Sequence, residues 1–279
     1  MTYKYKTNKS ACAPSVDVKG NFKTCYSHES LMKIVNELKN EKNLQYNGKG
    51  KSKKQLWDFI QKQFHAQCKN KELCWKKQNV VKKLKDAEIN RYTFKPEYPE
   101  VWKRDKHTWL NTYDILKVMK QYEKKHDDFK FMGVVPSDCP TRVYCELSNL
   151  DIKKMNEDNI NTIGIVYNLD VSTGPGTHWV AMFIEGNEID YYDSYGSLPT
   201  EHIHNFILKL KDNFRKNNME PVVIYNDRRH QYGGSECGMY SINFLLERIY
   251  GNTMYSISKR NITDRAMNNL RNKLFNPDY

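Results

Sequence analysis

The chain has 279 residues, 39% of them hydrophobic and 13% aromatic, with 45 Lys+Arg against 33 Asp+Glu and a net charge of +12. That length fits one large domain or two smaller ones, and the aromatic content excludes wholesale disorder. A simple acidic enzyme is excluded by the charge, and no apolar run approaches the roughly 18–20 residues that span a bilayer. The opening segment, MTYKYKTNKSACAPS, has charge but no apolar stretch behind it, so it does not read as a signal peptide and the chain is expected to be soluble and intracellular.

Charge divides the chain. Residues 1–104 carry 24 Lys+Arg and 10 Asp+Glu, a net of +14, whereas residues 105–279 carry 21 and 23, a net of −2. The first part is therefore a candidate for contact with an acidic polymer or surface, through Lys49, Lys51, Lys53 and Lys54 and through Lys76, Lys77, Lys82 and Lys83. The plainer reading is a solvated lysine-rich surface. The first 28 residues show no periodicity. Leu31, Ile34, Val35 and Leu38 then follow helical spacing, with Ser27 or Ser30 as N-cap. A second amphipathic helix is predicted around 54–66 (Leu56, Trp57, Ile60, Phe64), and a third from about 72 to 86 (Leu73, Trp75, Val80, Val81, Leu84). Pro96 and Pro99 mark a linker. The expected division is a basic, mainly helical arm over 1–100 and a second domain over 101–279.

From Trp109 a helix is predicted to run through Ile115, Val118, Met119 and Tyr122. Strand-like runs follow at Phe131–Val135, Thr162–Leu169, His178–Ile184 and Ile189–Asp193, the last two joined at Gly186-Asn187 as an antiparallel hairpin. A helix over 201–216, a strand at Val222–Tyr225, an apolar helix over Cys237–Tyr250 stopped at Gly251, and a last helix near Thr263 complete the chain. Strands followed by helices without a βαβ rhythm indicate an α+β domain.

Seven cysteines, an odd number, argue against a disulfide framework in a chain without a secretory signal, and Cys139 and Cys145 are expected to be semi-buried thiols. His65, Cys68 and Cys74 lack the spacing of a zinc site, so neither a metal nor a cofactor is expected.

Chemistry concentrates near Cys237. It follows Gly233-Gly234-Ser235-Glu236 and opens a helix that is apolar nearly all round, so its N-terminal dipole faces a negative charge at the sulfur. His178 lies where a Gly-containing loop meets a strand, and the hairpin brings Asp193 beside it, whereas Asp190 falls on the opposite face. Gln231, six residues before Cys237, can offer an amide to a developing oxyanion.

With its motifs Gly176-Thr177-His178-Trp179-Val180-Ala181, Tyr192-Asp193-Ser194, and Gln231 through Glu236-Cys237-Gly238-Met239-Tyr240-Ser241, the sequence resembles the C48-type cysteine proteases. That group includes deSUMOylating proteases, the adenovirus protease and polyprotein-processing proteases of large nucleocytoplasmic DNA viruses. Trp109-Leu110 with Ile115 and Met119 looks like the family's opening helix, and Arg228-Arg229-His230-Gln231 with Asn261-Ile262-Thr263-Asp264 looks most like the African swine fever virus type. The likeness covers about residues 105–279. At Asp193 this chain departs from the asfarvirus Asn and agrees with the deSUMOylases. The resemblance implies a central mixed or antiparallel sheet flanked by helices, with Cys237 as nucleophile, His178 as base, Asp193 as its orienter and Gln231 at the oxyanion. It further implies that Trp179 roofs a narrow substrate channel with Gly233 and Gly234. That channel implies cleavage of viral polyprotein after Gly-Gly or Gly-X-Gly, in the infected cell's cytoplasm (the viral factory) or in the virion. Two other readings are an isopeptidase acting on host ubiquitin-like conjugates, and a nucleic-acid or scaffold-binding protein with an accessory protease core.

Overall fold

The computed structural model describes residues 11–18, 22–105 and 107–277. Two compact units are present: the described residues of 99–272 form one, and those of 7–98 form the other together with 273–277. The end of the chain thus groups with the basic arm.

In the arm, helix α1 (His28–Lys42) buries Leu31, Ile34, Val35 and Leu38, as the spacing predicts. Its N-cap is Ser27, whose side chain accepts from the Ser30 N–H, and Asn43 closes it in the left-handed region. Helix α2 (Lys53–Cys68) starts on a Ser52–Gln55 capping box and buries Leu56, Ile60, Phe64 and Cys68. The single helix predicted over 72–86 is broken into a 3-10 segment, Glu72–Lys77, and a short α3, Asn79–Lys83. Gln78 between them is extended, and Leu73 and Trp75 bury side chains only two residues apart, a spacing that one α-helical face does not accommodate. Trp75 sits among Tyr26, Trp57 and Phe64 at ring separations of 5.3–6.2 Å.

The second unit contains α4 (Glu100–Arg104), α5 (Thr112–Lys125), α6 (Ile152–Glu157), α7 (Glu201–Lys216), α8 (Cys237–Ile249), α9 (Met254–Ser258) and α10 (Asp264–Leu274), the last ending across the boundary. Helix α5 begins at Thr112, later than Trp109, because Asn111 and Asp114 form a capping box there. The sheet is mixed: β1 (Phe129–Pro136), β2 (Thr162–Asn168), β3 (Trp179–Glu185), β4 (Glu188–Tyr192) and β5 (Val222–Tyr225) lie in that order. β2–β3–β4 are antiparallel, and the β3–β4 hairpin turns at Gly186 (φ 58°) and Asn187, with Glu185 opposite Glu188. Both outer pairs, β1·β2 and β4·β5, are parallel. Helices α6 and α7 lie in the two crossovers, a βαβ connection absent from the sequence expectation.

Every residue of β3 from Trp179 to Ile184 is buried, because both faces of the sheet are covered. One face, with Ile165, Tyr167, Val180, Met182 and Tyr191, packs with Phe206, Leu210 and Phe214 of α7. Against the other lies α8, where Phe244 stacks on Tyr192 at 4.8 Å. Buried Asp190, facing α8, meets Arg248 Nε at 2.7 Å, and Arg248 also reaches Glu185 and Glu188. Burial, opposed by Arg248, lifts the Asp190 carboxyl to about 7.

The cysteine expectation is overturned. Cys12–Cys25, Cys68–Cys74 and Cys139–Cys145 are disulfides, and Cys237 is the free thiol. Six cysteines pair with near neighbours in sequence, and the odd one out is the candidate nucleophile. Cys68 and Cys74 therefore cannot serve His65 as metal ligands, nor do Cys12 and Cys25, which lie near Glu72, offer thiolates while bonded to each other. The Glu72 carboxylate is instead held by the Cys25 N–H, Thr24 Oγ1 and Trp57 Nε1.

Candidate active site

Cys237 is the first residue of α8, where first-turn N–H groups lack intrahelical acceptors and the helix dipole is positive. The helix is buried nearly all round, which fixes the position of the sulfur; Cys237 itself is 1% exposed. His178 immediately precedes β3, and Asp193 immediately follows β4. Extending the hairpin register makes them diagonal neighbours on one face, and His178 Nε2 lies 2.7 Å from Asp193 Oδ1. A carboxylate only accepts, so Nε2 carries the hydrogen and Nδ1 is left for the hydrogen bond with Cys237. Burial pulls the His178 imidazole down, but the Asp193 hydrogen bond, then the hydrogen bond and negative charge of Cys237, raise it to about 9. The imidazolium is therefore the resting form at neutral pH.

Sequence reasoning passed over the groups that hold this pair. The Tyr195 ring stacks on His178 at 4.7 Å, and its N–H donates to Asp193 Oδ1 at 2.8 Å. Asn226 Nδ2 donates to the Asp193 carbonyl. Gly196 closes the turn at φ 76°, where a Cβ would meet the Arg228 carbonyl carbon at 2.9 Å. Tyr195 lay in view inside Asp193-Ser194-Tyr195-Gly196, but no spacing marks a stacking partner.

Gln231 is fully buried; its Oε1 accepts from Ser194 Oγ at 2.7 Å, and its Nε2 donates to the Gly233 carbonyl at 2.8 Å and to Tyr195 Oη at 3.3 Å. Service to an oxyanion requires exchanging one of those bonds for substrate. Asp264, at the start of α10, accepts from the Tyr232 and Gly233 N–H groups and from Tyr240 Oη, which pins the Gln231–Gly234 loop to α8. Nothing in the local sequence points across the 31 residues between Gly233 and Asp264. A Cβ on Gly233 would fall 2.6 Å from Glu236 Oε2 and force that carboxylate to shift, whereas Gly234 faces open space. The Glu236 carboxylate is turned away from Cys237 by bonds from Ser235 and Asn268 and by His107.

Trp179 is 7% exposed, and its Nε1 donates to the Leu110 carbonyl at 2.9 Å. A Cβ on Gly238 would stand 3.0 Å from Leu110 and 3.3 Å from Trp179, so the indole lies directly over the start of the nucleophile's helix. In the arm, Lys49, Lys51, Lys54, Lys77, Lys82 and Lys83 are exposed, with Lys53 and Lys76 half-buried. Lys54 and Lys83 pair with Asp58 and Glu41.

Together these groups can perform acyl transfer: a cysteine at a positive helix end, an imidazole on its sulfur, and a carboxylate fixing the tautomer. Comparison with known proteins agrees. Residues 108–279 match the Ulp1 protease family, C-terminal catalytic domain. A thiol protease of Acanthamoeba polyphaga mimivirus is 36% identical over 80% of this chain and 74% of its own length. A cysteine protease of African swine fever virus is 36% identical over 41% of this chain and 44% of its own. The crystal structure of an African swine fever virus protease superimposes with a TM-score of 0.69 at 21% identity, covering 98% of both chains, which shows the shared fold. The chain belongs to the Ulp1 (Peptidase_C48) family and is a cysteine protease of the kind these viruses carry.

Proposed function

We propose that the protein is an endopeptidase that matures viral structural polyprotein by cutting after Gly-Gly or Gly-X-Gly, in the cytoplasm of the infected cell and in the assembling particle. The observation that carries this reading is the Cys237–His178–Asp193 chain, with Cys237 1% and His178 8% exposed. A peptide reaches so enclosed a thiol only as a chain with little side chain at the residues before the cut. With the proton already held on His178, the Cys237 sulfur attacks the scissile carbonyl, Asp193 holds the imidazolium, and the amide leaves with a proton from His178. Trp179 roofs the approach, Gly233 and Gly234 leave it open, and Gln231 with the first N–H groups of α8 receives the oxyanion. Purified protein is expected to cleave a Gly-Gly-Ala peptide, and Cys237→Ala to lose at least about ten-thousandfold in rate; cleavage persisting in that variant removes Cys237 from the mechanism.

A second reading is favoured by the relatives described as SUMO-1 cysteine proteases, 32% identical over 56% of this chain. Under it the enzyme deconjugates ubiquitin-like modifiers from host proteins. Rapid labelling of Cys237 by a ubiquitin-like vinyl sulfone, with no cleavage of Gly-Gly-Ala peptides, selects it.

The arm, over residues 1–100, tethers the protease core at 101–279 to nucleic acid or another acidic surface, supported by its net charge of +14 over residues 1–104 and its exposed lysines. Affinity for double-stranded DNA is expected to fall steeply with salt, by about a thousandfold or more from 50 to 200 mM if six phosphates are engaged. Binding that ignores salt, or none, removes this role.

A further inference from the structure

The Cys139–Cys145 disulfide closes a seven-residue loop, Cys-Pro-Thr-Arg-Val-Tyr-Cys, in the first crossover of the sheet, with its Cα atoms 5.5 Å apart. Its tip presents Val143, 83% exposed, and Tyr144, 100% exposed. Beside Tyr144 lies an open, mainly apolar hollow of about 350 Å³ lined by Leu116, Met132, Val135 and Leu147, with Lys120 and Glu146 also on its wall. Two apolar side chains held in water next to an apolar hollow mark a surface that a partner covers. The loop is rigid on the far side: Arg142 Nε and Nη2 each stand 2.7 Å from Asp138 Oδ2, and Asp138 also accepts from Ser172 N and Oγ. A preformed loop loses little freedom on binding, which is how such surfaces gain affinity.

Its place in the sheet identifies the occupant. Pro136, Asn168 and Trp179 stand in one row across β1, β2 and β3. At about 4.8 Å per strand, Pro136 is about 10 Å from the residue next to His178. Ser137, bonded to the Asp170 carbonyl, leads from that row straight into the loop. The Asp138–Ser172 bonds join it to the segment that ends at His178. A peptide held at Cys237 and continuing along this end of the sheet runs toward the loop, reaching it several residues from its scissile bond.

We propose that the disulfide-closed loop is a second substrate-binding surface, on which Val143 and Tyr144 bind apolar side chains of the substrate chain itself, several residues from the cut. This rests on the protease reading above and adds to it a selectivity remote from the glycines. The test uses two 20-residue peptides centred on Gly-Gly-Ala, one with Leu at positions four to six on either side of the cut and one with Ser there. The full-length enzyme is expected to show a KM about tenfold lower for the Leu peptide. Val143→Ser/Tyr144→Ser removes that advantage, leaves cleavage of the Ser peptide within twofold, and leaves the melting temperature unchanged. Equal KM values for the two peptides in the unsubstituted enzyme overturn the proposal, as does a double variant that slows both alike. Fluorescence anisotropy of the labelled Leu peptide on Cys237→Ala keeps the two ideas apart: binding lost with Val143→Ser/Tyr144→Ser sustains the docking surface even if neither peptide is cut, whereas failure to bind overturns it. A dimer of the full chain dissolved by the double substitution, with both peptides handled equally, assigns the loop to self-association instead.

Discussion

Asp193→Ala is expected to lower kcat by about a thousand- to ten-thousandfold while the protein stays folded. Its Oδ1 takes both the His178 Nε2 hydrogen and the Tyr195 N–H. Without it the ring can rotate or adopt the other tautomer, and an imidazolium forms with no counter-charge; exchanging the corresponding acid for its amide in a serine-protease triad already costs about ten-thousandfold, through the wrong tautomer. Asp193→Asn keeps an acceptor oxygen but no charge opposite the imidazolium, so it should lose activity by a comparable factor. Asp190 supplies the contrast. Three residues earlier and on the other face, it is buried against Arg248, so Asp190→Ala removes one of the three carboxylates around that guanidinium, leaves Glu185 and Glu188 on it, and is expected to cost about 1.5–3 kcal/mol of stability with little effect on the kcat of the folded fraction. Measuring kcat and denaturant midpoints for the three variants separates the roles; a loss under tenfold for Asp193→Ala would sink the orienting role.

The sequence was most legible where a local pattern decides the structure. Gly186-Asn187 between two apolar runs dictates the hairpin, the hairpin register carries Asp193 to His178, and a helix apolar all round can only be buried, which places Cys237 at its start. The limits of helix α7 and strand β5 came from the same local signals. What stayed hidden was set by distance along the chain. The βαβ crossovers depend on which strands become neighbours, and no local periodicity encodes that. Asp264 reaches the Gln231 loop from another helix, Tyr195 acts through ring stacking, and Gln231 spends its amide on Gly233. The cysteines misled for a different reason: parity and an opening segment that does not read as a signal peptide argued for thiols, yet Cys139–Cys145 and Cys68–Cys74 are each six residues apart and held together by the local turns between them. The predicted 72–86 helix failed at Gln78 because the burial of Trp75 outweighed the helical pattern around it.

Stability should fall as the pH rises from about 6.5 to about 9, and the nucleophile should be part of the reason. In the folded chain His178 keeps its proton to about pH 9, against an ordinary value of 6.5. Below pH 6.5 both folded and unfolded chains hold that proton and the stabilisation is complete. Between the two values the unfolded chain gives up a proton that the folded chain retains, so unfolding is increasingly favoured; above pH 9 the contribution is gone. Two of the influences that raise His178, a hydrogen bond and a negative charge, come from Cys237, while Asp193 supplies the rest. Cys237→Ala is therefore expected to move the imidazole titration down and flatten the decline. Denaturation without reductant at several pH values gives the slope, and the His178 ring signals in an NMR titration give the midpoint for each form. An unchanged midpoint in Cys237→Ala would mean that thiol and imidazole do not share charge in the resting enzyme. Attack would then have to begin from a neutral pair, with the proton leaving sulfur only as the carbonyl is engaged.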